Sequence, residues 1–248
     1  MPAKVKPLTT PKPGTSDAQL FELQSATLAE LPAGSSVAVV TLLGSLCPVT
    51  LAHIRTFEEA RKIFLDAASP HRPPGLESFA AVLGFVSVNG DGYVSRKMAK
   101  TGVPALDAET RLALIRLAVA DRPWMGTEPR EGQSLWKLQQ RWPSLNFVHF
   151  KMNGADDVAK HRKYAWTDSL NRFLTMGRPG ETEKVLAGMR RDGYEANAYH
   201  ILGPELPDIS STEARRAIVA GDAAACARML HPRVAEWCLS ESAWRKKQ

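Results

Sequence analysis

Leu42 to Ala60 read LLGSLCPVTLAHIRTFEEA, and the chain changes character twice within that stretch. An apolar run stops at Gly44 and Ser45, a short loop holds Pro48 and Thr50, and a helical pattern starts near His53. Strand, tight turn and helix mouth in succession have a physical use. Gly44 lets a bulky anion come close to the backbone, and Ser45 adds a hydroxyl. The first turn of the helix offers unpaired N–H groups and the positive end of a dipole. His53, in or just before that turn, can donate a hydrogen bond to a phosphate oxygen.

The rest of the chain repeats this alternation. Short apolar, β-rich runs at Ser36 to Leu43, Ala80 to Val88, Asn146 to Met152, Arg172 to Met176 and Ala198 to Leu202 read as buried strands. Between them AHIRTFEEARKIFLDAA, DAETRLALIRLAVAD and ETEKVLAGMRRD carry apolar residues at helical spacing. Near-continuous apolar strands alternating with helices predict an α/β fold: a Rossmann-like parallel sheet with helices on both faces. Ligands in such sheets bind beyond the carboxyl ends of the strands, at the switch point. After the last strand, three short helices are expected to form a C-terminal helical subdomain.

At 248 residues, with 44% apolar and 23% charged side chains, the chain has the composition of a soluble globular protein. No apolar run approaches the roughly 20 residues of a membrane span. Cys47, Cys226 and Cys238 are odd in number and lack CxxC spacing, which argues against a disulfide framework or a zinc site and for a reducing, intracellular compartment. The net charge of +6 suits nucleic acid or small polyanions alike. No strand interleaves aromatic with basic residues, so nucleic acid is not expected as a partner. The organisation expected is a disordered extension and lead-in helix over 1–33, one domain over 34–241 and a solvated basic tail over 242–248. The basic ends leave nuclear and cytoplasmic locations open, and the sequence leaves homo-oligomers open too.

A second cluster matches the first. ISSTEARR places Ser210, Ser211 and Thr212 at a helix start, with Arg215 and Arg216 one turn later. Hydroxyls, helix amides and a guanidinium can then converge on one point, as polyphosphate recognition requires.

With both ends in view, the sequence resembles the nicotinamide mononucleotide adenylyltransferases of eukaryotic type, within the nucleotidylyltransferase superfamily. GSLCPVTLAH matches that superfamily's G-[ST]-F-x-P-x-[HT]-x-x-H at Gly44, Ser45, Pro48, Thr50 and His53, and ISSTEARR matches the family's I-S-S-T-x-x-R-R. Weaker matches fall between in the right order. SVNGDGY resembles S-P-V-x-D-x-Y, and the helix after TGVPALDAE aligns Arg111. NGADD supplies Gly154 and Asp156, and TMGRPG supplies Arg178. The lysine-rich turn VSRKMAKTG offers Arg96, Lys97 and Lys100 for a phosphate, with Lys97 carried forward.

What the resemblance implies is adenylyl transfer from ATP to nicotinamide or nicotinic acid mononucleotide, with Mg²⁺ neutralising the triphosphate and no metal ligands assigned on the protein. ATP would meet Gly44, Ser45, Thr50, His53, Gly154, Asp156, Ser210, Ser211, Thr212 and Arg215, with His53 and Arg215 catalytic. The mononucleotide would meet Ser45, Lys97, Glu131, Arg178 and Trp166, the tryptophan stacking on the pyridine ring. The chain departs from the family at Leu46-Cys47, where F-[ND] is usual, and at TEPRE, where Arg130 stands in place of a tryptophan. Alternatives are a different acceptor, or a relative that binds nucleotides or client proteins without chemistry.

Overall fold

The structure, a computed structural model, describes residues 24–101, 103–240 and 244. Its centre is a parallel sheet of strands β1 (Ser36–Gly44), β2 (Ala81–Val88), β3 (Met125–Thr127), β4 (Asn146–Gly154), β5 (Arg172–Gly177) and β6 (His200–Glu205), in the order β3-β2-β1-β4-β5-β6. Helices α1 (Leu51–Leu65), α2 (Asp91–Ala99), α3 (Ala108–Ala118), α4 (Gln133–Arg141), α5 (Ala155–His161) and α6 (Thr182–Asp192) connect the strands, with a 3-10 turn at Lys163–Trp166. Helices α7 (Ser211–Ala220), α8 (Ala223–Met229) and α9 (Pro232–Ser240) close the chain. This is the α/β, Rossmann-like architecture expected from the alternating pattern.

Register ties the halves together. Val40 stands beside Gly84 of β2 on one side and Phe150 of β4 on the other, and Phe150 stands beside Arg172. Ala38, Val40, Phe150 and Leu174 point into one core with Phe57, Ile63 and Phe64 of α1 and Leu114 of α3. Phe64, Phe79 and Phe150 meet there with ring centroids 4.5–5.9 Å apart. Each such side chain contributes about 1.5–3 kcal/mol by leaving water. Val37, Val39, Leu83 and Phe85 face the other way, against Leu28 and Leu138. Strands buried on both faces explain why they read as unbroken apolar runs.

Several elements depart from expectation. The edge strand β3 is too short to leave a pattern in the sequence. β6 starts at His200 rather than Ala198 and runs on through Pro204, which an edge position tolerates because no neighbour needs its missing N–H. The lysine-rich "turn" is helix α2, anchored by Val94 and Met98 one turn apart despite Gly92 in its first turn. Helices α4 and α5 were not anticipated. Trp244, expected in a solvated tail, is 2% exposed and packs in the first core. Residues 24–29 are helical; 1–23 of the extension expected over 1–33, and 242–243 and 245–248 of the tail expected over 242–248, lie outside the described residues. No helix among the described residues is long and apolar enough to cross a membrane.

Candidate functional site

A pocket of about 480 Å³ opens where β1 and β4 part company, beyond their carboxyl ends. Its floor comes from Gly44, Ser45, Gly154 and Gly177, and its walls from the first turns of α1 and α7 with Lys97 of α2 and Arg178 after β5. This is the place the strand order assigns to a ligand, because connections from β1 and β4 leave the sheet in opposite directions there.

The β1–α1 loop shapes the floor. A Cβ on Gly44 would stand 3.2 Å from the Leu46 side chain, so a larger residue would press on that side chain. Leu46 itself adopts φ +43°, a left-handed conformation costing about 1–2 kcal/mol, and its buried side chain offsets this. The Cys47–Pro48 peptide is cis. Burial pushes the Cys47 thiol up, and the residue serves the site through its carbonyl, which accepts from Arg215 Nη1 at 2.8 Å.

His53 lies in the third position of α1 and reaches back over the helix mouth. Its Nδ1 is 3.0 Å from the Thr50 amide nitrogen and 2.7 Å from Thr50 Oγ1. A backbone N–H can only donate, so Nδ1 is the unprotonated nitrogen. Burial first, then the charges of Arg178 and Lys97, lower the imidazole pKa to about 4. The ring is therefore neutral near pH 7 and carries its proton on Nε2, leaving that N–H to donate within the pocket.

The start of α7 is stitched to the same loop. Ser211 Oγ donates to the Pro48 carbonyl at 2.9 Å, and Arg215, 4% exposed, also holds Thr212 Oγ1 at 3.0 Å. Ser210 takes the Glu213 amide with its hydroxyl while Glu213 bonds back to the Ser210 amide, a reciprocal cap. Two helix N-termini thus meet at one point, each with its positive dipole end turned to the pocket. The exposed Arg216 does not line it.

Lys97 Nζ lies 3.5 Å from Ser45 Oγ, whereas Arg96 folds back onto the Gly92 carbonyl; of the three basic candidates, Lys97 is the one that lines the pocket. Arg178 spans the mouth, 3.1 Å from Asp208 and 3.7 Å from Asp156. Three cations, Lys97, Arg178 and Arg215, then face one lining carboxylate, Asp156. The balance favours a polyanion.

Not every candidate converges. Glu131 and Trp166 are outside this pocket: Glu131 bonds Thr41 on the sheet face that carries the second core, and Trp166 is 53% exposed on the 3-10 turn. Thr50 is buried under His53 and acts by holding its ring. The sequence aligned Arg111 without giving it a task. Fully buried, it donates to the carbonyls of Leu106, Ser45 and Asn89 and to Asp91 Oδ1, bracing the loops after β1 and β2. Asn153, just before Gly154, also lines the pocket and was missed.

No family model matches the chain. Over 213 residues it is 26% identical to a probable nicotinate-nucleotide adenylyltransferase of Citrifermentans bemidjiense, a match covering 72% of this chain and 85% of that protein. The likeness agrees with the adenylyltransferase resemblance of the two end motifs. It carries no preference for the eukaryotic branch.

Proposed function

We propose that this chain transfers the adenylyl group of ATP to a pyridine mononucleotide, nicotinic acid or nicotinamide mononucleotide, with release of pyrophosphate. The observation that carries the proposal is the pocket in which a neutral His53, Lys97, Arg178 and the starts of α1 and α7 converge at the switch point of the sheet. In the reaction a 5′-phosphate oxygen of the acceptor forms a bond to the α-phosphorus of ATP while the bond from that phosphorus to the bridging oxygen breaks, and pyrophosphate leaves. A phosphate oxygen is nucleophilic without losing a proton, so a neutral histidine is needed as donor rather than as base. Catalysis then rests on alignment and on fixed donors placed where charge develops. His53 Nε2–H would serve the α-phosphate, and the α7 mouth with Arg215 the β- and γ-phosphates.

Mg²⁺ would arrive on the triphosphate. Among the described residues no group of three or more His, Cys, Asp or Glu could hold a metal ion. Pyrophosphate release should be followed with purified protein, MgATP and each mononucleotide in turn, with pantetheine phosphate as control. Release with a pyridine mononucleotide is the expected result. Release only with pantetheine phosphate, or with no acceptor at all, would sink the proposal.

A further inference from the structure

Asn153 stands one residue from the end of β4, on the face of the sheet that carries the second core. Along that strand Phe150 and Met152 pack in the first core and Phe147 against the second, so the odd-numbered side chains point away from α1 and α7, whose Ile54, Phe57, Ala214 and Ile218 lie in the first core. The Asn153 amide therefore enters the pocket from the side opposite the two helix mouths. Asparagine is a poor strand former, and its amide costs desolvation unless it finds partners.

One partner is Lys163, the first residue of the 3-10 turn, whose Nζ lies 2.9 Å from Asn153 Oδ1 and 2.5 Å from Asp157 Oδ2. An ammonium can only donate, and this fixes the amide: its oxygen faces Lys163 and its nitrogen turns the other way. Of the two N–H groups on Nδ2, one makes a long contact of 3.4 Å with the Lys151 carbonyl. Nothing among the described residues accepts the other. With its oxygen taken, the side chain offers the pocket a donor alone.

The turn that holds Lys163 is fastened at its far end too. Lys151 Nζ is 3.0 Å from Asn171 Oδ1, and Asn171 Nδ2 donates to the Trp166 carbonyl at 2.7 Å. Beyond Asn153 comes Gly154, where a Cβ would stand 2.7 Å from Asp156 Oδ1, so the glycine lets that carboxylate close in. A bound nucleotide then meets a donor at Asn153 and an acceptor at Asp156, both of which line the pocket.

We propose that Asn153 donates its free N–H to an anionic oxygen of the acceptor mononucleotide, its 5′-phosphate or its ring carboxylate, and that Lys163 is the positioning residue that holds the amide in this orientation. The proposal rests on the activity proposed above: with the triphosphate at the helix mouths, the opposite side of the pocket falls to the acceptor. A group that only donates suits an anionic oxygen, and the Lys163 charge behind the amide oxygen polarises the N–H further.

Asn153→Asp keeps the shape and the Lys163 partner while exchanging the donor for a carboxylate. Lys163→Met frees the amide to rotate, and Lys163→Arg keeps a cationic donor behind it. KM and kcat are measured with ATP and with each acceptor, with melting temperatures alongside. Asn153→Asp should raise the acceptor KM about tenfold and Lys163→Met about threefold, with the ATP KM within about twofold and Lys163→Arg near wild type. Lys163→Met in an Asn153→Ala background should add nothing, because a lysine that acts through the amide has no effect without it. Equal penalties on both acceptors identify the phosphate, and a penalty on nicotinic acid mononucleotide alone identifies the carboxylate. A penalty on nicotinamide mononucleotide alone, a raised ATP KM, no change in any KM, or a lower melting temperature with every KM raised alike overturns the proposal. If wild type turns over neither mononucleotide, the proposed activity falls, and the Asn153 side-chain amide resonances, followed as inorganic phosphate is added, still decide the contact: a shift retains the anion-binding amide, and an unmoved signal overturns it.

Discussion

A histidine kept neutral is a different reagent from one poised to titrate. The pKa of His53 near 4 and its bond from the Thr50 amide leave Nε2–H as a donor throughout the neutral range. His53→Ala should therefore keep the fold and substrate binding while lowering kcat by roughly 10²–10³, the loss expected for one fixed donor to a charged transition state. The pH profile of kcat gives a second check. Protonation would take Nδ1 away from the Thr50 amide only near pH 4, so no limb between pH 6 and 7 should disappear in the mutant; one that did would make His53 a titrating base. Arg130 is the other residue whose chemistry sets an outcome. It is exposed on the loop that carries Glu131 and stands where the resembled family has a tryptophan. A guanidinium pairs with a carboxylate and repels a cationic ring. Nicotinic acid mononucleotide should give a kcat/KM equal to or above that of the amide, and Arg130→Trp should shift preference toward the amide. A strong wild-type preference for the amide, unmoved by the mutation, would show that Arg130 points away from the ring.

At the level of elements, α7 does two jobs with one arginine. Arg215 holds the Cys47 carbonyl and the Thr212 hydroxyl while lining the pocket, and Arg216 on the adjacent face is exposed. Arg215→Ala should weaken ATP by about 1.5–3 kcal/mol and also lower the melting temperature, because the buried carbonyl loses its partner. Arg216→Ala should do neither, and titration of both variants with ATP decides between them. The division of labour also explains what could be read in advance. Helix starts are local chemistry: Ser210 caps α7 within three residues, and His53 reaches Thr50 within one turn, so both halves of the phosphate pocket were legible in GSLCPVTLAH and ISSTEARR. Thr41 meets Glu131 and His149 across 90 and 108 residues, and no local pattern marks such a row. The edge strand β3 escaped for lack of length, and α2 because Gly90 and Gly92 look like a turn until Val94 and Met98 find the core.

For the whole molecule, pH is a test of packing. His200 is 1% exposed, its Nε2 lies 2.9 Å from Thr175 Oγ1, and burial lowers its pKa from 6.5 to about 4. Between those values the unfolded chain binds a proton that the folded chain refuses. Stability is therefore full above about pH 6.5 and falls toward pH 4, by about 1.4 kcal/mol per pH unit for this residue. His200→Gln should flatten the slope of unfolding free energy against pH by about one proton in that window; an unchanged slope would mean that the buried ring is already protonated. The strand order has a consequence of another kind. β1, β2 and β3 lie on one side of the β1–β4 seam, and β4, β5 and β6 on the other, so the seam divides the sheet at the same point as the chain. The first half carries His53 and Lys97, and the second carries Arg178 and Arg215. Cut between Trp142 and Leu145, the protein would become two fragments, one with Lys97 and the other with Arg178 and Arg215, and neither with a whole pocket. Co-expressed, they should regain turnover that neither has alone, making the seam a natural joint for a split reporter whose signal is pyrophosphate.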